Sequence, residues 1–329
     1  MTLSPAIPEP SVRPRPERRQ GARLGVIAAA GGMVAAGCAW TATALINVPD
    51  PVTLTALAVI EPSAIGPWFP SRRVKAPGQA RDLAFRPRPI LERVPWKGKP
   101  APLATMLAET HTNAFLVVQD GVLIHEWQRS GTGPTTLFPS WSVAKSIVSL
   151  LVGTAVASGK LAETDRVSAL LPDLRHGAVF GQITVRDLLD MASGIAVPEN
   201  YDPQHPLTGT AGMYLTRDIT AFVRDNAHLA FKPGSKGRYR SIDTELLGLI
   251  LARVEGKPLA DLLSERIWKP MGAQADATWN LDRDGGVEKA FCCINATARD
   301  FARLGLLVAD QGLAGQNRII PSRWIDRIE

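Results

Sequence analysis

A chain of 329 residues, 45% apolar and 21% charged, is long enough to bury a large core and too apolar to be disordered. Its net charge of +6 does not mark a nucleic-acid binder. Residues 1–23 carry +3, residues 24–100 carry +5, residues 101–329 carry −2, and no aromatic-interleaved basic stripe accompanies them.

Cysteine and histidine usage narrows the chemistry further. Cys38, Cys292 and Cys293 do not form a disulfide framework, and adjacent cysteines rarely bond each other, so Cys292 and Cys293 are expected as two small buried residues. The five histidines have no metal-ligand spacing. The expectation is a protein with no metal and no organic cofactor.

In chain order, residues 1–23 are a basic tail. Residues 24–46, "LGVIAAAGGMVAAGCAWTATALI", hold no charge over 23 positions, a length that spans a bilayer core. Arg13, Arg15, Arg18, Arg19 and Arg23 precede the segment and no charge follows until Asp50. The positive-inside rule then predicts a transmembrane anchor with the body in the periplasm or extracytoplasmic space. Two alternatives stay open: a signal peptide cleaved after "ATA" at 42–44, and a lipoprotein modified at Cys38 within "AAGC". Of the 26 prolines, 16 lie in residues 1–102, so 47–102 is expected as a Pro-rich linker and 103–329 as the folded domain.

Within that domain, "TNAFLVVQDGVLIHEWQ" reads as a hairpin turning at Asp120-Gly121. Helices are expected over 142–157, 183–194 (ended by Gly194), 241–256 (capped by Asp243 and stopped by Gly256), 258–268, and 295–312 (opened by Asn295, closed by Gly312). A last helix starts at Pro321-Ser322. No internal repeat is present. A hairpin followed by a run of helices indicates an α+β domain.

One stretch carries chemistry. "PSWSVAKSIVSLLVG" (139–153) is an apolar helix with Lys145 in its first turn, where a cation opposes the helix dipole and burial of its charge is unfavourable. Ser142 lies three residues earlier, on the same face. A lysine that sheds its proton beside a hydroxyl is the general base a serine nucleophile requires. The bland reading is a serine N-cap with a snorkelling lysine, and the four-letter S-x-x-K pattern alone does not separate the two.

"FPSWSVAKSIVSLLVG", "GKLAETDRVSALLPDL", "ITVRDLLDMASGI", "PGSKGRYRSIDTELLGLILARVEGKPLADLLSERIWKPMGA", "ATWN" and "NATARDFARLGLLV" occur in the order and approximate spacing of a known group. Over roughly residues 103–329 the chain resembles the serine β-lactamase and penicillin-binding-protein superfamily. The likeness is nearest the class C-like branch, which includes esterases, D-amino-acid-type peptidases and 6-aminohexanoate-dimer hydrolases. The resemblance implies a β-lactamase/transpeptidase-like α+β fold, an antiparallel sheet flanked by helices plus a helical subdomain. It implies Ser142 as the acylated nucleophile, Lys145 as its proton acceptor, and Tyr239 of "YRS" as the second acid–base group. Ser241 of the same motif would bind Lys145 or the substrate. Tyr201, in "VPENYDP", is a lesser candidate for contacting the leaving group. Trp141 is expected to pack.

The superfamily's third motif, K-T-G or H-x-G, supplies half of the oxyanion hole. No K-T-G occurs in the chain, and His176-Gly177 comes too early. The sequence is therefore expected to lack the C-terminal strands. The resemblance implies an ester, amide or peptide substrate. The alternative is a non-catalytic module of the same fold that binds cell-wall peptide or a protein partner. Oligomeric state is not legible.

Overall fold

The computed structural model describes residues 36–174, 177–201 and 205–329. It divides into two units, Met1–Val52 and Thr53–Glu329. In the first, residues 36–45 are helical. The basic tail, most of the expected membrane segment, and His176 lie outside the described residues. Among the described residues no helix is long and apolar enough to cross a membrane.

The second unit is organised by a four-stranded antiparallel sheet. Its strands are β1 (Ser71–Val74), β4 (Leu137–Pro139), β5 (Ala277–Asn280) and β6 (Ile294–Thr297), in the order β1-β5-β6-β4. Between β1 and β4 in the chain, β2 (Ala114–Gln119) and β3 (Val122–Gln128) form a separate hairpin. Its turn residues Asp120 and Gly121 have φ of 51° and 74°, the left-handed pair that a tight hairpin demands and that Asp-Gly supplies. The inner strand β6 is buried along its whole length, so "INAT" shows no in–out alternation.

Strand β1 corrects the reading of 47–102 as a linker. Ser71 pairs with Asn280 and Val74 with Ala277, and a second hairpin joins Arg93–Trp96 to Lys99–Pro102. Proline-rich backbone is already extended, and an edge strand has one side on which no ladder donor is needed. Such a stretch can therefore finish a sheet as readily as it spaces two domains.

Three helices of this unit bear on the site: α1 (Val143–Ala157), α2 (Ser241–Glu255) and α3 (Ala298–Ala309). Helix α1 buries Ala144, Ile147, Val148, Leu151 and Val152, which accounts for its apolar sequence. Its Gly153 permits a close approach: a Cβ there would lie 2.4 Å from Trp324 of the terminal helix Ser322–Ile328. Helix α2 ends at Gly256 with φ 64°, as its sequence predicts.

Two caps differ from expectation. Asp243 does not cap α2; Arg240 holds that position and Asp243 lies buried in the first turn, accepting a bond from Ser193 Oγ. Asn295 does not open α3 but belongs to β6. Thr297 is the cap, its Oγ1 accepting from the Asp300 N–H at 3.2 Å. A buried strand that runs straight into a helix blurs the change of period that marks a boundary in sequence.

Candidate active site

The turn that carries Ser142 is built where β4 meets α1. Ser140 is clamped to β6 on both sides: its N–H donates to the Ile294 carbonyl at 2.6 Å, and the Ile294 N–H donates to its Oγ at 3.1 Å. Trp141 then takes φ 44°, a left-handed conformation that costs a bulky residue about 1–3 kcal/mol. Its ring stacks on Tyr214 with centroids 6.0 Å apart, so the expected packing role holds although 37% of the residue is exposed. The turn tightens through successive bonds from the Val143, Ala144 and Lys145 N–H groups to the carbonyls of Ser140, Trp141 and Ser142.

Ser142 occupies the N-cap position of α1, yet its side chain makes no capping bond. Its hydroxyl instead accepts from Lys145 Nζ at 3.1 Å. The same ammonium donates to the Phe291 carbonyl at 2.8 Å and stands 5.1 Å from the centroid of the Tyr239 ring. Lys145 is half-buried, while Ser142 and Tyr239 are exposed. Ser142, Lys145 and Tyr239 thus converge from two distant parts of the chain onto one spot.

Ser241 and Tyr201 stand to one side. Ser241 is fully buried, and its Oγ donates to Glu199 Oε1 at 2.7 Å while its N–H donates to Glu199 Oε2 at 2.7 Å. Thr210 Oγ1 donates to the same carboxylate at 2.9 Å. Ser241 is therefore partnered by Glu199 and not by Lys145. Burial, then the nearby Glu199 carboxylate and Tyr239, push the Tyr201 hydroxyl up to about 12, against a hydrogen bond with Ser241. Glu199 escaped the sequence reading because a single acidic residue in a loop carries no pattern. Its place two residues before Tyr201 is the one available signal.

Behind the lysine, residues 289–293 form a buried turn that presents the Phe291 carbonyl. Trp279 Nε1, from β5, donates to the carbonyls of Lys289 (3.0 Å) and Cys292 (3.1 Å). Glu245 of α2 receives the Ala290 N–H at 2.8 Å, and its other oxygen has no hydrogen-bond partner. Burial pushes that carboxyl up to about 8, opposed by the bonds from the Ala290 and Phe291 N–H groups. Lys289 is also fully buried, its Nζ 3.7 Å from the Phe69 ring centroid and 4.7 Å from that of Tyr214. Desolvation draws it down to about 7 against the pull of Asp282 and Glu245.

Cys292 and Cys293 close this turn, and here the expectation of two free residues is corrected. They are buried as expected but bonded to each other, with Cys293 at φ 77°. The left-handed backbone at Cys293 makes a bond between neighbours possible. Cys38 is free and exposed.

Two clefts flank the first turn of α1. One of about 390 Å³ is lined by Lys145, Ser149, Asp190, Trp324 and Arg327. The other, larger at about 720 Å³ and mostly apolar, touches Trp141 and Val143 but neither Ser142 nor Lys145. The smaller one borders Lys145, and Ser142 lines neither.

Comparison with known proteins identifies the fold and the family. The chain is 29% identical over 261 residues to the 6-aminohexanoate-dimer hydrolase of Paenarthrobacter ureafaciens, covering 75% of this chain and 64% of that protein. It is 32% identical over 154 residues to esterase EstB of Burkholderia gladioli, covering 42% of this chain and 37% of the esterase. The chain thus spans less than two thirds of either relative. Among solved structures, a Bacillus anthracis protein assigned as a 6-aminohexanoate-dimer hydrolase superposes with a TM-score of 0.72 at 25% identity, over 85% of this chain and 74% of that one. The family model described as Beta-lactamase matches residues 105–326, the region that contains strands β4, β5 and β6, helices α1, α2 and α3 and the Ser142–Lys145 turn, and the chain belongs to that β-lactamase-related family of serine hydrolases.

Proposed function

We propose that this chain is an exported serine hydrolase that cleaves an ester or amide bond through an acyl-enzyme on Ser142. The observation that carries the reading is Lys145 Nζ, 3.1 Å from the Ser142 hydroxyl and anchored at 2.8 Å by the Phe291 carbonyl. An amine that gives one N–H to Phe291 can turn its lone pair on Ser142, as a general base must. Ser142 Oγ attacks the substrate carbonyl carbon while Lys145 takes its proton. The Ser142 N–H, at the positive end of α1, supports the oxyanion that develops. Tyr239, beside Lys145, passes the proton to the departing alcohol or amine. Water then attacks the acyl group along the same proton path in reverse, freeing Ser142.

Substrate class follows from two supports. The relatives named as an amide-dimer hydrolase and an esterase favour an open-chain amide or ester over a β-lactam ring. Ser241, at the position where the family's motif offers Asn or Ser, favours the same branch. The arginine-led apolar segment 24–46 would hold the domain at the outer face of a membrane.

Intact mass after incubation with a fluorophosphonate, and separately with a penicillin, tests the reading. The expected result is one adduct per chain on Ser142, none in Ser142→Ala, and turnover of a p-nitrophenyl ester that exceeds that of nitrocefin. A folded chain that takes no adduct sinks the hydrolase and leaves a module that binds cell-wall peptide or a protein partner.

A further inference from the structure

The bonded pair Cys292–Cys293 lies one peptide unit from the atom that anchors the catalytic lysine. The Phe291 carbonyl, which accepts from Lys145 Nζ at 2.8 Å, belongs to the peptide that joins Phe291 to Cys292. On the other side, the Cys293 carbonyl accepts from the Asn280 N–H at 3.0 Å, and Ile294 exchanges two hydrogen bonds with Ser140, two residues before the nucleophile. Residues 291–294 therefore run without interruption from the lysine's anchor to the turn that carries Ser142. Both cysteines are buried, and Cys293 lines a narrow crevice with Ile65, Pro139, Trp141, Tyr214 and Asn280, beside the exposed ring of Trp141.

We infer that Cys292–Cys293 is a redox modification site whose disulfide form holds the Phe291 carbonyl against Lys145, and whose reduction by a dithiol slows acylation of Ser142. The inference rests on the hydrolase reading above. The covalent link closes a small ring across the 292–293 peptide and keeps Cys293 at φ 77°, a left-handed conformation that non-glycine residues disfavour. Once the link is cut, nothing covalent keeps Cys293 there. Its return to an ordinary conformation rotates the adjoining peptides, while the bonds from Asn280 and Ser140 confine the change to this turn.

The chemistry balances. A thiolate of the dithiol attacks one sulfur, forming a mixed disulfide and releasing the other cysteine as a thiolate that takes up a proton. The second thiol of the reductant then displaces the first cysteine. Two electrons and two protons pass from the dithiol to Cys292 and Cys293, and the dithiol leaves as its disulfide. An oxidising compartment keeps such a bond closed, in keeping with the export proposed above.

The test compares full-length protein as prepared in air with the same protein after dithiothreitol. Alkylation under denaturing conditions should mark one cysteine, Cys38, before reduction and three after it. The rate of fluorophosphonate labelling at Ser142 should fall about tenfold on reduction, the scale of a sub-ångström misplacement of a catalytic group. It should recover on reoxidation, and Cys292→Ser should label at one rate with or without reductant. Three alkylated cysteines in the unreduced protein overturn the inference. So do equal labelling rates in two states of verified thiol count, or loss of the cooperative melt on reduction, which would mean global unfolding. Absence of labelling in both states overturns the hydrolase reading instead, so the two failures are distinguishable.

Discussion

Lys145 and Lys289 make an instructive pair because they share one turn, residues 289–293: Lys145 donates into it at Phe291, and Lys289 begins it and donates outward to Tyr214. Each donates to a backbone carbonyl and lies near two aromatic rings: Tyr239 and Phe291 for Lys145, Phe69 and Tyr214 for Lys289. They differ in what completes the shell. Lys145 lines a cleft and donates to the exposed Ser142 hydroxyl, whereas Lys289 is sealed among rings and buried carboxyls. In the proposed reaction the same side chain is a reagent where a hydroxyl and solvent meet it, and a structural pillar where neither does.

Substitution at each position should separate the two roles. Lys145→Ala is expected to lower the Ser142 acylation rate by about 10³-fold, within the range for loss of a general base, while stability changes by less than about 1 kcal/mol. Stopped-flow acylation with a p-nitrophenyl ester and urea unfolding measure the two effects. An acylation rate within threefold of the parent would remove Lys145 from the chemistry.

The contrast also marks what sequence can reveal. The S-x-x-K spacing placed Ser142 and Lys145 on one helical face because helical periodicity is local, and Asp120-Gly121 and Gly256 were legible for the same reason. Lys289, Glu245 and Glu199 were not, since their partners lie far away in sequence: Tyr214, Ala290 and Ser241. No spacing rule connects such pairs. The Phe291 carbonyl is harder still, because any residue offers a carbonyl and only the fold aims it. Cys292 and Cys293 were misjudged on local geometry, which the left-handed backbone at Cys293 alters. Strand β1 was missed because extended proline-rich sequence looks alike in a connector and at a sheet edge.

Lys289→Ala should show the opposite profile from Lys145→Ala. It removes a fully buried stem from between two rings and leaves the Tyr214 carbonyl without its donor, so unfolding free energy should drop by about 3 kcal/mol. Lys289→Met keeps most of the packing volume and should restore more than half of that loss in urea titrations. If methionine is as damaging as alanine, the cation and not the stem supports the turn, and the pillar description fails.

Glu245 supplies the smallest effect, one that reads out the buried side of the turn through pH. Its carboxyl rises from the ordinary 4.5 to about 8 because it is desolvated. Between those values the folded protein holds a proton that the unfolded chain releases, so this contribution is full below pH 4.5 and is lost as pH rises through 8. Asp243, raised from 3.8 to about 7 by burial, acts in the same direction up to pH 7. Lys289, lowered from 10.5 to about 7, acts oppositely and only above pH 7, where the unfolded chain keeps a proton that the folded one has shed. From these groups the melting temperature should therefore fall from pH 5 to pH 7, stay level between pH 7 and 8 where Glu245 and Lys289 offset each other, and rise above pH 8. Glu245→Gln keeps an oxygen for the Ala290 N–H and removes the titration, so the slope between pH 5 and 7 should shrink to the part owed to Asp243. Parallel melting curves of parent and variant across that window would show that the Glu245 carboxyl is ionised in the fold, and that the turn beneath Lys145 rests on a charge and not on a neutral acid.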